Sequence, residues 1–140
     1  MPTAPGSREN PPVTLLESRF DQDDLPKLRM LVEQYAGHQG LTEPRRGEFI
    51  VALDAVAVNA VAHAGGGGKL ILQRSNGHLD CHIHGAGPGF SADVIPGRVP
   101  ALDGDQGGRG LWLADLLTDG LGISTGPGGF MVTLTVRLPR

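Results

Sequence analysis

Glycine is not spread evenly along this chain. It gathers in residues 65–68, in Gly85-Ala86-Gly87-Pro88-Gly89-Phe90, in Gly107-Gly108-Arg109-Gly110-Leu111-Trp112-Leu113 and in Gly126-Pro127-Gly128-Gly129. The segments between the clusters carry clear apolar periods. Glycine adopts backbone angles that other residues avoid and lets a ligand approach the main chain closely. With 22 glycines and 11 prolines clustered without a repeat, the pattern points to an ordered fold with ligand-type loops, not to a collagen-like or disordered chain.

The periods between the clusters predict the elements. Residues 1–12 are proline-bearing with no apolar period and are expected to be a disordered tail; residues 13–140 are expected to form a single domain. Residues 13–20 read as an edge strand. Asp21-Gln22-Asp23-Asp24 is rich in helix-capping residues, and Pro26 suits a first helical turn. Leu28, Leu31, Val32 and Tyr35 recur at helical spacing, and Gly37 and Gly40 mark an end. A second helix starts near Thr42-Glu43-Pro44 and runs through Ile50, Leu53, Ala57 and Val61 to the glycine run at 65–68. Residues 69–75 and 79–84 read as strands joined by a hairpin turn at Asn76-Gly77. Residues 91–107 have no clear period and read as a long loop of the kind that forms lids. Residues 111–117 are helical. Residues 122–125 and 131–138 are strands, the latter with Val132, Leu134, Val136 and Leu138 on one face. Strand, two helices, two strands, lid, helix, two strands suits an α/β two-layer sandwich, with a mostly antiparallel sheet and helices on one face.

Composition narrows the function classes. The 140 residues fit one domain. A net charge of −3 gives no nucleic-acid-binding surface. No apolar run reaches transmembrane length, and the N-terminus lacks a charged-then-apolar signal pattern. The one cysteine, Cys81, has no internal disulfide partner and reads as a small buried apolar residue, so a reducing cytoplasmic setting is expected. His82 and His84 share a strand face, but no cysteine or carboxylate pattern around them supports a metal centre.

Asn59-Ala60-Val61-Ala62-His63, followed in order by the Gly85, Gly107 and Gly126 stretches, resembles the N, G1, G2 and terminal boxes of GHKL (Bergerat-fold) ATP-binding domains. The likeness is greatest to the anti-sigma-factor serine kinases and runs over residues 13–138. It implies the Bergerat, or histidine kinase-like ATPase, fold. Alone, Asn59 would be a helix residue bonding locally; the resemblance implies that its amide oxygen holds Mg²⁺ on the nucleotide phosphates, a hard cation that takes oxygen ligands and keeps its own waters. His63 lies four residues on, on the same helix face, as a phosphate contact or a structural helix-end residue. The resemblance places Gly87 and Gly89 against the nucleotide. It also places Gly108, Arg109, Gly110 and Leu111 at the phosphates, where a loop ahead of a helix offers free N–H groups and the positive end of the dipole. ATP and Mg²⁺ are the implied cofactors.

Two acids of the family pattern are missing. The catalytic base expected four residues before Asn59 is Ala55. Asp54 cannot stand in, because four residues leave ~40° between helix side chains and five leave ~140°. Glu48 is nearly in register but ~16 Å distant along the axis. The acid expected to accept from the adenine amino group is Gly85, whose strand parity with Leu79, Cys81 and Ile83 turns it inward. Phe130 follows Gly128-Gly129 where relatives often carry Thr. The chain is therefore expected to be a degenerate member: a regulatory protein resembling anti-sigma factors, with weak or lost ATP binding and no catalytic residue. The alternative is an active ATP-dependent serine/threonine kinase that phosphorylates an antagonist protein. The implied partners are a sigma factor, an anti-sigma-factor antagonist or a second copy of the chain. Arg45 and Arg46, near the start of the second helix, are expected to be exposed and to meet an acidic partner.

Overall fold

The computed structural model describes residues 11–63, 67–85, 106–126 and 129–139, with residues 63, 106–110 and 126 described by backbone alone. The expected tail up to residue 10 and the expected lid up to residue 105 lie outside the described residues. Among the described residues, five strands and three helices follow in the order β1 (Val13–Asp21), α1 (Leu25–His38), α2 (Arg45–His63), β2 (Gly67–Ser75), β3 (His78–Gly85), α3 (Gln106–Leu117), β4 (Gly120–Gly126) and β5 (Gly129–Arg137). A short 3-10 turn over Gln22–Asp24 joins β1 to α1.

Local chemistry accounts for the boundaries. The Asp21 carboxylate accepts from the Asp23 amide at 2.9 Å, and the Asp24 carboxylate accepts from the Asp21 amide at 3.0 Å. This reciprocal cap turns the chain out of β1 and into α1. At the other end of α1, Gly40 takes a φ of +97°. The Leu41 amide there donates to the Ala36 carbonyl at 3.0 Å, and Leu41 itself is buried. A left-handed glycine followed by a buried apolar residue stops a helix and satisfies its last carbonyls. The β2–β3 hairpin turns on Asn76 (φ +49°) and Gly77 (φ +88°), the pair of positive angles that matches strand twist.

The sheet order is β1-β2-β3-β5-β4, antiparallel throughout. Strand alternation divides it into two faces. Leu70, Leu72, Leu79, Cys81, Ile83, Val132, Leu134 and Val136 are wholly buried beneath the helices. Their neighbours Gln73, Asp80, His82, His84, Thr133 and Thr135 are only partly covered. Helices on one face and a half-open sheet on the other make the two-layer sandwich. From the helix side come Leu28, Val32 and Ala36 of α1, Phe49, Leu53, Val56 and Ala60 of α2, and Leu111 and Ala114 of α3. Burying a side chain of this size contributes about 1.5–3 kcal/mol.

One expectation shifts here. The glycine run at 65–68 does not merely end α2, because Gly67 and Gly68 open β2. A Cβ on Gly68 would collide with the His84 carbonyl oxygen and crowd the Phe20 ring. Close strand approach, and not only helix termination, requires glycine there.

Candidate functional site

α2 is the central helix of its layer, packing on β2, β3 and β5 and against α1 and α3. Its start is anchored on three sides. Glu43 caps the Gly47 amide with its Oε1 at 2.9 Å. Arg45 reaches Asp119 at 2.7 Å and Glu48 at 3.3 Å. Arg46 pairs with Glu43 at 3.3 Å and donates to the Leu41 carbonyl at 3.4 Å. Both arginines were expected to be exposed. Their side chains instead keep only 38% and 30% of their area, because intramolecular carboxylates hold them against the fold. Asp119, which spacing did not single out, is the hub of this clamp. Its Oδ2 also accepts from the Arg137 amide at 2.7 Å, tying the start of α2 to the last strand.

Asn59 lies on α2 and is 6% exposed, the one buried polar side chain among the described residues. A buried amide requires partners to offset its desolvation, and Asn59 is engaged in an interaction of its own. Ala55 sits one turn earlier, half-buried. Asp54 turns toward α1, where its carboxylate accepts from Arg29 at 2.9 Å. The helix geometry that separates Asp54 from Asn59 thus appears as an ion pair on the opposite flank. Glu48 is held by Arg45 at the helix start. Neither carboxylate faces the Asn59 position.

The glycine stretch expected as a loop ahead of α3 is instead its first turns, since the helix begins at Gln106 and contains Gly107, Gly108, Arg109 and Gly110. Packing of Leu111 and Ala114 into the core gives the helix a footing that outweighs the cost of internal glycines, about 1 kcal/mol each. The free N–H groups therefore sit one turn earlier than the spacing implied. Leu111 is wholly buried, as a core residue of α3. α3 packs on α2, so Asn59 and the Gly108–Gly110 turn lie on adjoining helices. His63 is the last residue of α2. Gly87 and Gly89 lie outside the described residues.

Gly85 and Phe130 are direct cross-strand partners in β3 and β5. Both are buried on the helix-facing side, with Phe130 4% exposed and engaged in contacts of its own. The inward direction of position 85 agrees with its strand parity. Its pairing with Phe130 was not legible until the register of two distant strands was known. Among the described residues this corner holds no carboxylate and presents an aromatic ring instead, so these residues do not fit the acid-anchored adenine contact that the resemblance implies. The Asn59 amide oxygen is, by its chemistry, a suitable ligand for the Mg²⁺ that the resemblance implies.

On the open face, the Gln73 amide donates to Thr14 Oγ1 at 3.2 Å, so its oxygen is left to accept from His82 Nε2 at 3.2 Å. His82 Nδ1 then accepts from the Thr133 hydroxyl at 2.9 Å. The chain of bonds spans four strands and occupies both ring nitrogens of His82. Thr135 donates to Asp80 at 2.6 Å, and Lys69 pairs with Glu17 at 2.6 Å. Lys69 holds the exposed Glu17 carboxyl below its ordinary range, by hydrogen bond and by charge. Burial, then the charges of His82 and Lys69, lower the His84 pKa. Burial pushes the Cys81 thiol far above its ordinary value, which keeps it protonated and unreactive. No group of three or more metal-binding side chains occurs among the described residues. No helix among them is long and apolar enough to cross a membrane.

The fold is similar to that of the RsbU and RsbW domains of Rv1364c from Mycobacterium tuberculosis, with a TM-score of 0.67 at 20% identity over 94% of this chain. The chain spans 33% of that longer protein. No curated protein matches it. The model of the histidine kinase-like ATPase domain matches residues 19–136, nearly the whole of the described fold, and the chain belongs to that family.

Proposed function

We propose that the chain is a regulatory binding protein of the anti-sigma-factor type, in which the nucleotide site has weakened and phosphotransfer has been lost. The observation that carries this reading is the Gly85–Phe130 pair. A buried acceptor is missing at one strand and a ring stands opposite it on the other. A lost hydrogen bond to a buried polar group costs a ligand about 1–3 kcal/mol, and the ring adds bulk in the same corner. Ala55 supports the reading from a second direction, since no side chain there can take a proton, and general-base loss removes roughly 10²–10⁴ in rate.

The partner in this reading is a sigma factor or the antagonist that competes for it, and the setting is cytoplasmic. Arg45 and Arg46 are the proposed contact for an acidic partner. The two side chains keep 38% and 30% of their area open while the carboxylates of Glu43, Glu48 and Asp119 hold them in position. The likeness to the RsbU and RsbW domains supports a scaffold of this type.

Titration calorimetry with ATP and Mg²⁺ tests the nucleotide half. The expected dissociation constant is millimolar or beyond reach, about 4 kcal/mol of binding or less. A micromolar constant would show that another group has taken over the base contact, and phosphate transfer to an antagonist by the unaltered chain would establish the active-kinase alternative.

A further inference from the structure

The open face of the sheet carries its charges unevenly. In the register of β1, β2 and β3, Arg19 stands directly opposite Lys69, and Lys69 directly opposite His84. Neighbouring strands lie about 4.8 Å apart, so three basic side chains cross the sheet in one row roughly 10 Å long. Like charges directly opposite one another destabilise a strand pair. Sheet stability therefore does not call for this row.

Its compensation inside the chain is incomplete. Glu17 pairs with Lys69 at 2.6 Å. Asp21, on the other side of Arg19, spends its carboxylate on the Asp23 amide at 2.9 Å. Among the described residues no carboxylate pairs with Arg19 or with His84. His82, the next histidine of β3 on this face, has its ring nitrogens bonded to Gln73 and Thr133. From the strands beyond, the row receives only Met131 of β5 and Ser124 of β4. The charged and titratable groups around His84 are therefore Lys69, His82, Glu17 and Arg19. Arg19 is exposed, Lys69 and His84 are only partly covered, and half-buried Ile71 and Met131 give the row an apolar margin.

We propose that the Arg19–Lys69–His84 row is a docking site for an acidic peptide segment, whose carboxylates supply the counter-charges that the chain lacks. The row lies on the sheet face away from the helix layer that carries Arg45 and Arg46, so it is independent of that contact and of the nucleotide reading. Complementary charge of this kind sets register and speeds encounter, and at exposed positions it weakens with salt. His84 adds a proton linkage. Burial, then the charges of His82 and Lys69, hold its pKa low in the free protein. Carboxylates placed beside it act in the opposite direction and favour the imidazolium. Binding therefore takes up a proton. Affinity should rise as pH falls from about 7.5 to about 5.5, a range in which glutamate stays ionised.

The test titrates the full chain with a short poly-glutamate peptide and follows the His84 ring by NMR. The His84 pKa is expected to move upward at saturation, with tighter binding toward acid pH. Arg19→Glu should weaken binding about tenfold. Lys27→Glu makes the same change of charge at an exposed position of α1 outside the row, and should not. His84→Gln should remove the pH dependence. One readout needs no peptide: Arg19→Glu sets opposite charges where like charges stood, so its Tm should hold or rise. A His84 pKa that the peptide leaves in place, equal losses from Arg19→Glu and Lys27→Glu, a pH dependence that survives His84→Gln, or a fall in Tm on Arg19→Glu would each overturn the proposal.

Discussion

Leu134 and Thr133 are neighbours in β5, yet they belong to different molecules as far as stability is concerned. Leu134 is wholly buried under the helices beside Cys81 and Leu121. Thr133 faces the half-open side and ends the hydrogen-bond chain through His82 and Gln73. On the inner face a residue is held by volume, and nothing replaces a methyl group that is removed. On the outer face a residue is held by donors and acceptors that water can supply in its place. The two faces should therefore respond to substitution on different scales, and the buried corner at Gly85 and Phe130 obeys the inner rule.

The largest effect expected from this contrast is at the inner face. Leu134→Ala should cost about 2–5 kcal/mol in urea unfolding, since it removes buried surface and leaves a cavity that the sheet cannot collapse. A loss below 1 kcal/mol would mean that the inner face is not close-packed. One residue along the strand, Thr133→Val keeps the shape and removes the hydroxyl that donates to His82, so the loss should be about 1 kcal/mol or less. If the two substitutions cost the same, the distinction between the faces fails.

The smallest effect is electrostatic. His84 lies on the outer face with Lys69 as its cross-strand partner and His82 two residues away, and its pKa is lowered. The unfolded chain, where the pKa is ordinary, then binds the proton more readily than the folded one. Stability should rise with pH between roughly 5 and 7 and fall on acidification through that window. His84→Gln should flatten this slope in pH-dependent unfolding without altering the stability plateau above it. A slope that survives the substitution unchanged would assign it to other groups.

The order of elements was legible because it rests on local rules. Apolar spacing at 3–4 residues marked α1 and α2, alternation marked β3 and β5, and Asn76-Gly77 and Gly40 marked their turns by the backbone angles those residues tolerate. The separation of Asp54 from Asn59 was legible too, being a property of any helix. The boundaries that went astray did so where local chemistry was overruled. Gly107, Gly108 and Gly110 favour a loop by propensity, yet α3 takes them in because Leu111 and Ala114 are anchored in the core.

What the sequence by itself determined is the set of elements, the inward direction of position 85, and the separation of Asp54 from Asn59 around the helix. These depend on the helical and strand periods and on residue identity, which are written along the chain. What only the tertiary structure decided is which distant residues meet: Gly85 with Phe130, Arg45 with Asp119, Arg29 with Asp54, and Thr14 with Thr133 through Gln73 and His82. Sheet order places β5 between β3 and β4, a crossing that no local period encodes. The reason is physical: strands choose neighbours by burying one common apolar face, and that choice is settled by the whole core at once.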